Sequence, residues 1–327
     1  MKILVTGGAG FIGSHLVKKL IDMNHTVITL DNLLTGKITN LGEVIHHPNH
    51  TFVQGSVLDR ELLSRIINQC DVVYHLAAVL GIKTIVENPL RVIEDNIGGS
   101  MNVFELAYKR KCKVVFASTS EVYGKNDNLP FHENSDRLLG PPDVHRWSYA
   151  TAKAIEEHLC FAYADKGLPV TVVRYFNTYG PRATATQYGG VIPIFITAAL
   201  KGSPITIHGD GKQTRSFTFI EDTVRGTLLC QDAKHNGQVF NIGMDEVVSI
   251  NALAEKIKKI TASNSAIIYI PHSNVYGKNF EDTPNRIPDL TKSRKILKYS
   301  PEIELVQGLR RTVAWYRAEM NTDTERI

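Results

Sequence analysis

In the stretch YATAK, Tyr149 and Lys153 stand four residues apart. On a helix that spacing puts both side chains on one face, one turn apart. An ammonium beside a phenol stabilises the phenolate. A tyrosine held this way can take the proton of a hydroxyl while hydride leaves the same carbon. Upstream, STSEVYG (Ser118 to Gly124) places the hydroxyls of Thr119 and Ser120 beside the carboxylate of Glu121. It follows the apolar run Val114-Val115-Phe116-Ala117, so it marks the carboxyl end of a strand. In open α/β sheets ligands bind there. Glu121 is then either a proton-transfer group or an ordinary solvated or capping residue.

A second set of residues supplies a nucleotide site. VTGGAGFIGSHL follows the first strand and opens a helix, with Gly7, Gly10 and Gly13 spaced Gly-x-x-Gly-x-x-Gly. Gly7 permits the tight turn, Gly10 the approach of backbone to a pyrophosphate, and Gly13 close packing of helix on sheet. The helix N-terminus offers unpaired N–H groups to the phosphates. Asp31 ends the second strand, 18 residues after Gly13. A carboxylate there accepts both ribose hydroxyls of NAD and repels the 2′-phosphate of NADP; the alternative is a surface turn at Asp31-Asn32.

The elements that must position these groups alternate along the chain. Strands are expected at Ile3–Thr6, Thr26–Leu30, Thr51–Gln54, Val72–His75, Val114–Ala117 and Val170–Arg174. Helices are expected at Ile12–Asp22, Arg60–Gln69, Leu90–Lys109 and Ser148–Asp165. Such alternation predicts an α/β fold, a doubly wound parallel sheet of Rossmann type. After Asn177 turn signals dominate (Gly-Pro, Gly-Ser-Pro, Gly-Asp-Gly). We therefore expect residues 1–176 to bind the cofactor, with 215–245 packing back on them, and 177–327 to form mainly a smaller α/β substrate-binding domain. A last helix is read at Val306–Met320.

Composition narrows the class. The 327 residues carry a net charge of +4, too mild to predict nucleic-acid binding. Cys70, Cys112, Cys160 and Cys230 lie far apart with no Cys-x-x-Cys pair, so they predict buried free thiols and no metal or disulfide framework. The chain starts directly on a strand, and nothing has the length of a membrane span; a cytoplasmic protein is expected. His46 and His47 read as surface residues, His75 as a satisfied near-core histidine, Asp222 as an N-cap, and Trp315 and Tyr316 as core.

Together, TGGAGFIGSHL, VYHLAA, STSEVYG, YATAK, VRYFNTYGPR, GDGKQTRSFTFIED, FNIG and RIPDL resemble the extended short-chain dehydrogenase/reductase superfamily, in its nucleotide-sugar epimerase/dehydratase group. The resemblance runs nearly the whole length. It implies transient oxidation of a nucleotide-sugar, usually at C4, by a tightly held and recycled NAD, in a homodimer paired through the helices Leu90–Lys109 and Ser148–Asp165. The cofactor set it implies is Gly7, Gly10, Phe11, Ile12, Gly13, Asp31, Asn32, Ser56, Val57, Leu76, Ala77, Ala78, Asn96 and Lys153, the last holding the nicotinamide ribose. Gly55-Ser56 stands where the group often has Gly-Asp against adenine. Thr119 would hydrogen-bond the C4 hydroxyl beside Tyr149. The substrate set is Lys83, Asn177, Arg182, Val191, Arg215 and Arg286; Asn177 would meet the diphosphate, and Arg215 and Arg286 would grip phosphate or uridine ribose. Lys83 reads equally as a solvated lysine.

Ser120-Glu121 separates subgroups. Sugar 4,6-dehydratases of the group carry Asp-Glu there, and this chain keeps only the glutamate. Ser-Glu, GPPDVHRWSYATAK and YGKNFEDTPNRIPDL are similar to nucleotide-glucuronate decarboxylases. A C4 ketone acidifies C5–H and equally stabilises the carbanion left by CO2 loss, so one scaffold serves both. The first expectation is proton chemistry at C5/C6 of a UDP-sugar, dehydration or epimerisation, with Glu121, Ser120 or water as shuttle. The alternatives are UDP-glucuronate decarboxylation, with Arg182 or Arg286 on the sugar carboxylate, and simple 4-epimerisation. Two other classes are weighed. Asp31 disfavours an NADPH-releasing reductase, and joint retention of Tyr149, Lys153 and Thr119 disfavours a nucleotide sensor.

Overall fold

The computed structural model describes residues 1–184, 190–271, 281, 283 and 285–324. The first strands are β1 (Lys2–Thr6), β2 (Thr26–Asp31), β3 (His50–Gln54), β4 (Val72–His75), β5 (Lys113–Thr119) and β6 (Val170–Tyr175). The helices between them are α1 (Phe11–Asp22), α2 (Arg60–Ile67), α3 (Ile82–Glu87), α4 (Pro89–Arg110) and α5 (Ser148–Asp165). There follow β7 (Thr178–Tyr179), α6 (Val191–Leu200), β8 (Ile205–His208), β9 (Thr214–Ser216), β10 (Thr218–Phe219) and α7 (Ile220–Leu229). The chain ends with β11 (Gln238–Ile242), β12 (Val247–Ser249), α8 (Ile250–Thr261), β13 (Ile267–Ile270), β14 (Asn285–Arg286) and α9 (Leu305–Thr324).

The central sheet is parallel throughout, in the order β11-β6-β5-β4-β1-β2-β3. Its strands are covered on both faces, which is why β4 (VVYH) is buried at every position instead of alternating. The chain first winds outward from β1 to β3, then restarts at β4 on the other side of β1. That reversal opens a crevice between the carboxyl ends of β1 and β4, the place where this architecture binds ligands.

The sequence pattern had suggested six of these strands. The seventh, β11, adds to the edge at β6. Its neighbour α7 lies against α1. One expectation is corrected. Asp222 is not an N-cap, because α7 already begins at Ile220 with Phe219 at its cap. The buried Asp222 carboxylate instead accepts the backbone N–H groups of Glu302 at 3.1 Å and Ile303 at 2.9 Å, tying down the approach to α9. The three-stranded sheet β12-β9-β14 sets Arg215 beside Arg286 in register. His75 is buried and doubly hydrogen-bonded, and all four cysteines are buried and free.

Candidate active site

The crevice is a cleft of about 340 Å³ running from the glycine loop to Tyr149 and Lys153. Its floor depends on missing side chains. Gly7 has φ +69°, and a Cβ there would sit 2.8 Å from the backbone nitrogen of Ala77. A Cβ on Gly13 would collide with the Gly7 carbonyl oxygen. Gly10 caps α1, whose first residues Phe11 and Ile12 line the cleft. Leu76, Ala77 and Ala78 form the facing wall, and Asn32, Ser56 and Val57 the far end. This shape, narrow at the turn and open at a helix N-terminus, fits a dinucleotide.

Asp31 is buried, and its carboxylate accepts Ala9 N–H at 3.0 Å and Leu33 N–H at 2.8 Å. Burial raises its pKa, and those two backbone donors oppose the rise. Each oxygen keeps a lone pair for a ribose hydroxyl. Asn96 lines the cleft too, but its amide clamps the backbone of Val79, accepting from N at 2.7 Å and donating to O at 2.9 Å. It therefore shapes the wall.

Tyr149 and Lys153 are held by the packing of α5 on the sheet. One turn further on, Glu157 receives Arg174 of β6 at two points, 2.8 and 2.7 Å, and Ser118 of β5 at 2.6 Å. That buried bidentate pair sets α5 against the ends of both strands. Thr119 closes β5 and accepts the N–H of Glu121 at 3.2 Å, leaving its O–H free to donate. Ser120 is buried in the short 3-10 turn that follows. From sequence, Lys153 and an oxidised nicotinamide lower the Tyr149 pKa; the protein's own groups raise it. Burial is the larger cause, then the charges of Glu121 and Glu156, and Arg146 opposes them.

Glu121 answers the question that its position poses. Its carboxylate takes Arg146 at 2.6 Å and Arg286 at 3.5 Å. Burial alone would raise its pKa; the two guanidinium groups overcome this and hold it at about 2. Arg146, which the sequence expectations left out of the site, is 3% exposed. Its signal was its place three residues before Tyr149, which brings it round the start of α5. Arg286, buried on β14, does reach this group.

The remaining candidates scatter. Arg182 has φ +68°, pairs with Glu43 at 2.6 Å and lines the cleft with the glycine loop, away from Glu121. Asn177 donates to the Ser216 carbonyl at 3.1 Å. Val191 starts α6, and Arg215 donates to the Thr214 carbonyl at 2.9 Å. Lys83 falls on α3, with its side chain outside the described residues. Among the described residues no cluster of metal ligands is present and no helix is long and apolar enough to cross a membrane.

Known proteins are similar to this chain over nearly its whole length. A UDP-N-acetyl-alpha-D-glucosaminuronate decarboxylase of Bacillus cytotoxicus is 47% identical over 316 residues, covering 97% of this chain and 98% of the relative. The UDP-glucose 4-epimerase of Thermotoga maritima, solved with UDP-glucose, superposes with a TM-score of 0.89 at 35% identity, covering 98% of this chain and 100% of that one. A UDP-glucuronic acid 4-epimerase of Bacillus cereus, solved with UDP-glucuronic acid and NAD, gives 0.87 at 30% identity, again covering 98% and 100%. Residues 3–243 match the family model described as the NAD dependent epimerase/dehydratase family. With that match, the glycine cleft and the Tyr149-Lys153 pair, the chain belongs to the NAD dependent epimerase/dehydratase family and is an NAD-using enzyme.

Proposed function

We propose that the enzyme decarboxylates the uronic acid of a UDP-sugar, oxidising C4 and then releasing C6 as CO2. The observation that carries this is the ion cluster: two buried guanidinium groups face one carboxylate beside Tyr149. Arg286 is the looser of the two, at 3.5 Å, and can turn to a second carboxylate; a uronate supplies one, and a neutral hexose does not. The name of the Bacillus cytotoxicus relative agrees with this choice.

Bound in the cleft, NAD supplies reversible hydride acceptance at C4. Tyr149 takes the C4 hydroxyl proton, and Thr119 donates its free O–H to the same oxygen. Lys153 holds the cofactor ribose. The product is a β-keto acid. Its C5–C6 bond breaks, the electron pair enters a C4–C5 enolate, and CO2 departs. A proton from solvent completes C5 and restores the C4 ketone; return of the hydride to C4, with the Tyr149 proton going back to its oxygen, would regenerate the alcohol, so one proton is consumed overall. Arg286, held to Glu121 by a loose contact, orients the carboxylate.

Proton transfer at C5/C6, ranked first from sequence, keeps one supporting observation. At 3.5 Å Arg286 is released easily from Glu121, and Glu121 with a single arginine is a stronger base. Incubating NAD-loaded protein with UDP-glucuronate, UDP-N-acetylglucosaminuronate and UDP-glucose in D2O, read by mass spectrometry, separates the two. Loss of CO2 supports decarboxylation, and deuterium or water loss without it supports proton shuttling. We take the enzyme to be a cytoplasmic homodimer paired through α4 and α5, where Leu90, Met101 and Ile155 are exposed.

A further inference from the structure

Beneath Lys153 lies a carboxylate that neither the fingerprint nor the Tyr-Lys pair calls for. Glu156 is fully buried, with Oε1 3.3 Å from the Lys153 ammonium. Ser100 of α4 donates to the same oxygen. A carboxylate only accepts, and this fixes the direction of a longer chain. The Ser100 hydroxyl proton goes to Glu156, so Ser100 accepts from His75 Nε2 at 3.0 Å. His75 Nδ1 is then bare and accepts from Thr6 at 2.8 Å, and Thr6 accepts the Ala77 N–H at 3.2 Å. A single run of hydrogen bonds thus joins the cofactor wall at Ala77 to Lys153, and it terminates on Glu156.

The other charged and titratable groups around the pair are already engaged or neutral. Glu157 belongs to Arg174 and Ser118, and Glu121 to Arg146 and Arg286. His75 is kept neutral by burial and by Lys153, its pKa down at about 3. Cys160 is a buried thiol pushed up by burial and by Glu157 and Glu156. The ammonium of Lys153 also sits 4.6 Å from the Phe116 ring centre, a weak partner. Glu156 is the anion that offsets the burial of this cation.

We propose that Glu156 is a positioning residue that keeps Lys153 an ammonium and so sets the pH range in which Tyr149 and Lys153 act together. This rests on their assigned roles in hydride transfer, whatever the second step. Turnover requires Tyr149 able to give up its proton and Lys153 protonated. Removing the negative charge of Glu156 favours the deprotonated form of both. Both limbs of the pH profile then move toward lower pH.

The test is the pH dependence of hydride transfer, followed as transient nicotinamide reduction on mixing NAD-loaded enzyme with UDP-glucuronate. For Glu156→Gln we expect both limbs to fall by about one pH unit or more, a tenfold change in proton affinity. Glu156→Asp keeps the charge and holds both limbs within about 0.3 unit of wild type. A uniform loss of rate in Glu156→Gln with unmoved limbs overturns the proposal and leaves Glu156 a packing residue. If the wild type transfers no hydride from any UDP-sugar, the assigned activity fails, and urea unfolding still decides on Glu156. There, Glu156→Gln is expected to destabilise the wild type and not Lys153→Met; additivity of the two changes overturns the proposal. If Glu156→Gln does not fold, the double variant with Lys153→Met should recover folding, and failure to do so counts against it.

Discussion

Arg286→Gln tests the proposed function most directly. In the resting protein Arg286 stands 3.5 Å from Glu121, while Arg146 stands at 2.6 Å. Glu121 therefore keeps its nearer partner in the variant and is not orphaned, so the fold should survive. In the proposed role, the lost group is a charge hydrogen-bonded to the uronate carboxylate. Such a bond contributes about 1.5–3 kcal/mol, or roughly 10- to 150-fold in kcat/KM. The loss should be confined to acidic sugars. Steady-state decarboxylation of UDP-glucuronate is measured by CO2 release, and C4 oxidation of UDP-glucose by transient nicotinamide absorbance. The expected result is a drop in that range for the first and less than about threefold for the second. Equal losses on both substrates, or undiminished decarboxylation, would refute the assignment of Arg286 to the carboxylate.

Tyr149→Phe should abolish hydride transfer from every UDP-sugar while NAD still copurifies; turnover near wild type would remove Tyr149 as the base. Glu121→Gln should still permit C4 oxidation; under the proton-shuttling reading it loses most of the second step, and complete conversion by this variant would remove Glu121 as the shuttle. The same variant carries a pH signature. Glu121 titrates at about 2 in the folded protein against an ordinary 4.5, so its ion pairs stabilise fully above the ordinary value and are lost as pH falls toward 2. The gap in urea midpoint between wild type and Glu121→Gln should therefore be constant near neutrality and close below about pH 4.5; a gap that does not change with acid contradicts the ion-pair account. Gly13→Ala forces a methyl into the Gly7 carbonyl, so the purified variant should retain less than about a tenth of the wild-type NAD.

Local chemistry made much of this protein legible in one dimension. A glycine loop between strand and helix, an acid at the end of the second strand and a tyrosine four residues before a lysine each do their work within one or two elements. Strand and helix periodicity is local as well, which is why a doubly wound parallel sheet could be anticipated. The seventh strand was missed because QVFNI is a short run that becomes a strand by pairing with β6. Asp222 looked like a cap because it stands near a helix start, yet the backbone N–H groups it accepts lie 80 and 81 residues further on.

The site itself was decided in three dimensions. Whether Glu121 is a free base or a paired ion depends on Arg146, 25 residues away, and Arg286, 165 residues away. No spacing rule links those positions; β5, the start of α5 and β14 converge on them only after the sheet and the smaller β12-β9-β14 sheet have formed. Arg182 and Arg286 were equal candidates by type, and packing separates them by placing one at the glycine loop and the other on Glu121. The pairing of Lys153 with Glu156 was not read from the sequence and emerges from the structure. Its charge matters because both groups are buried where water cannot screen them, and burial is a property of the folded chain.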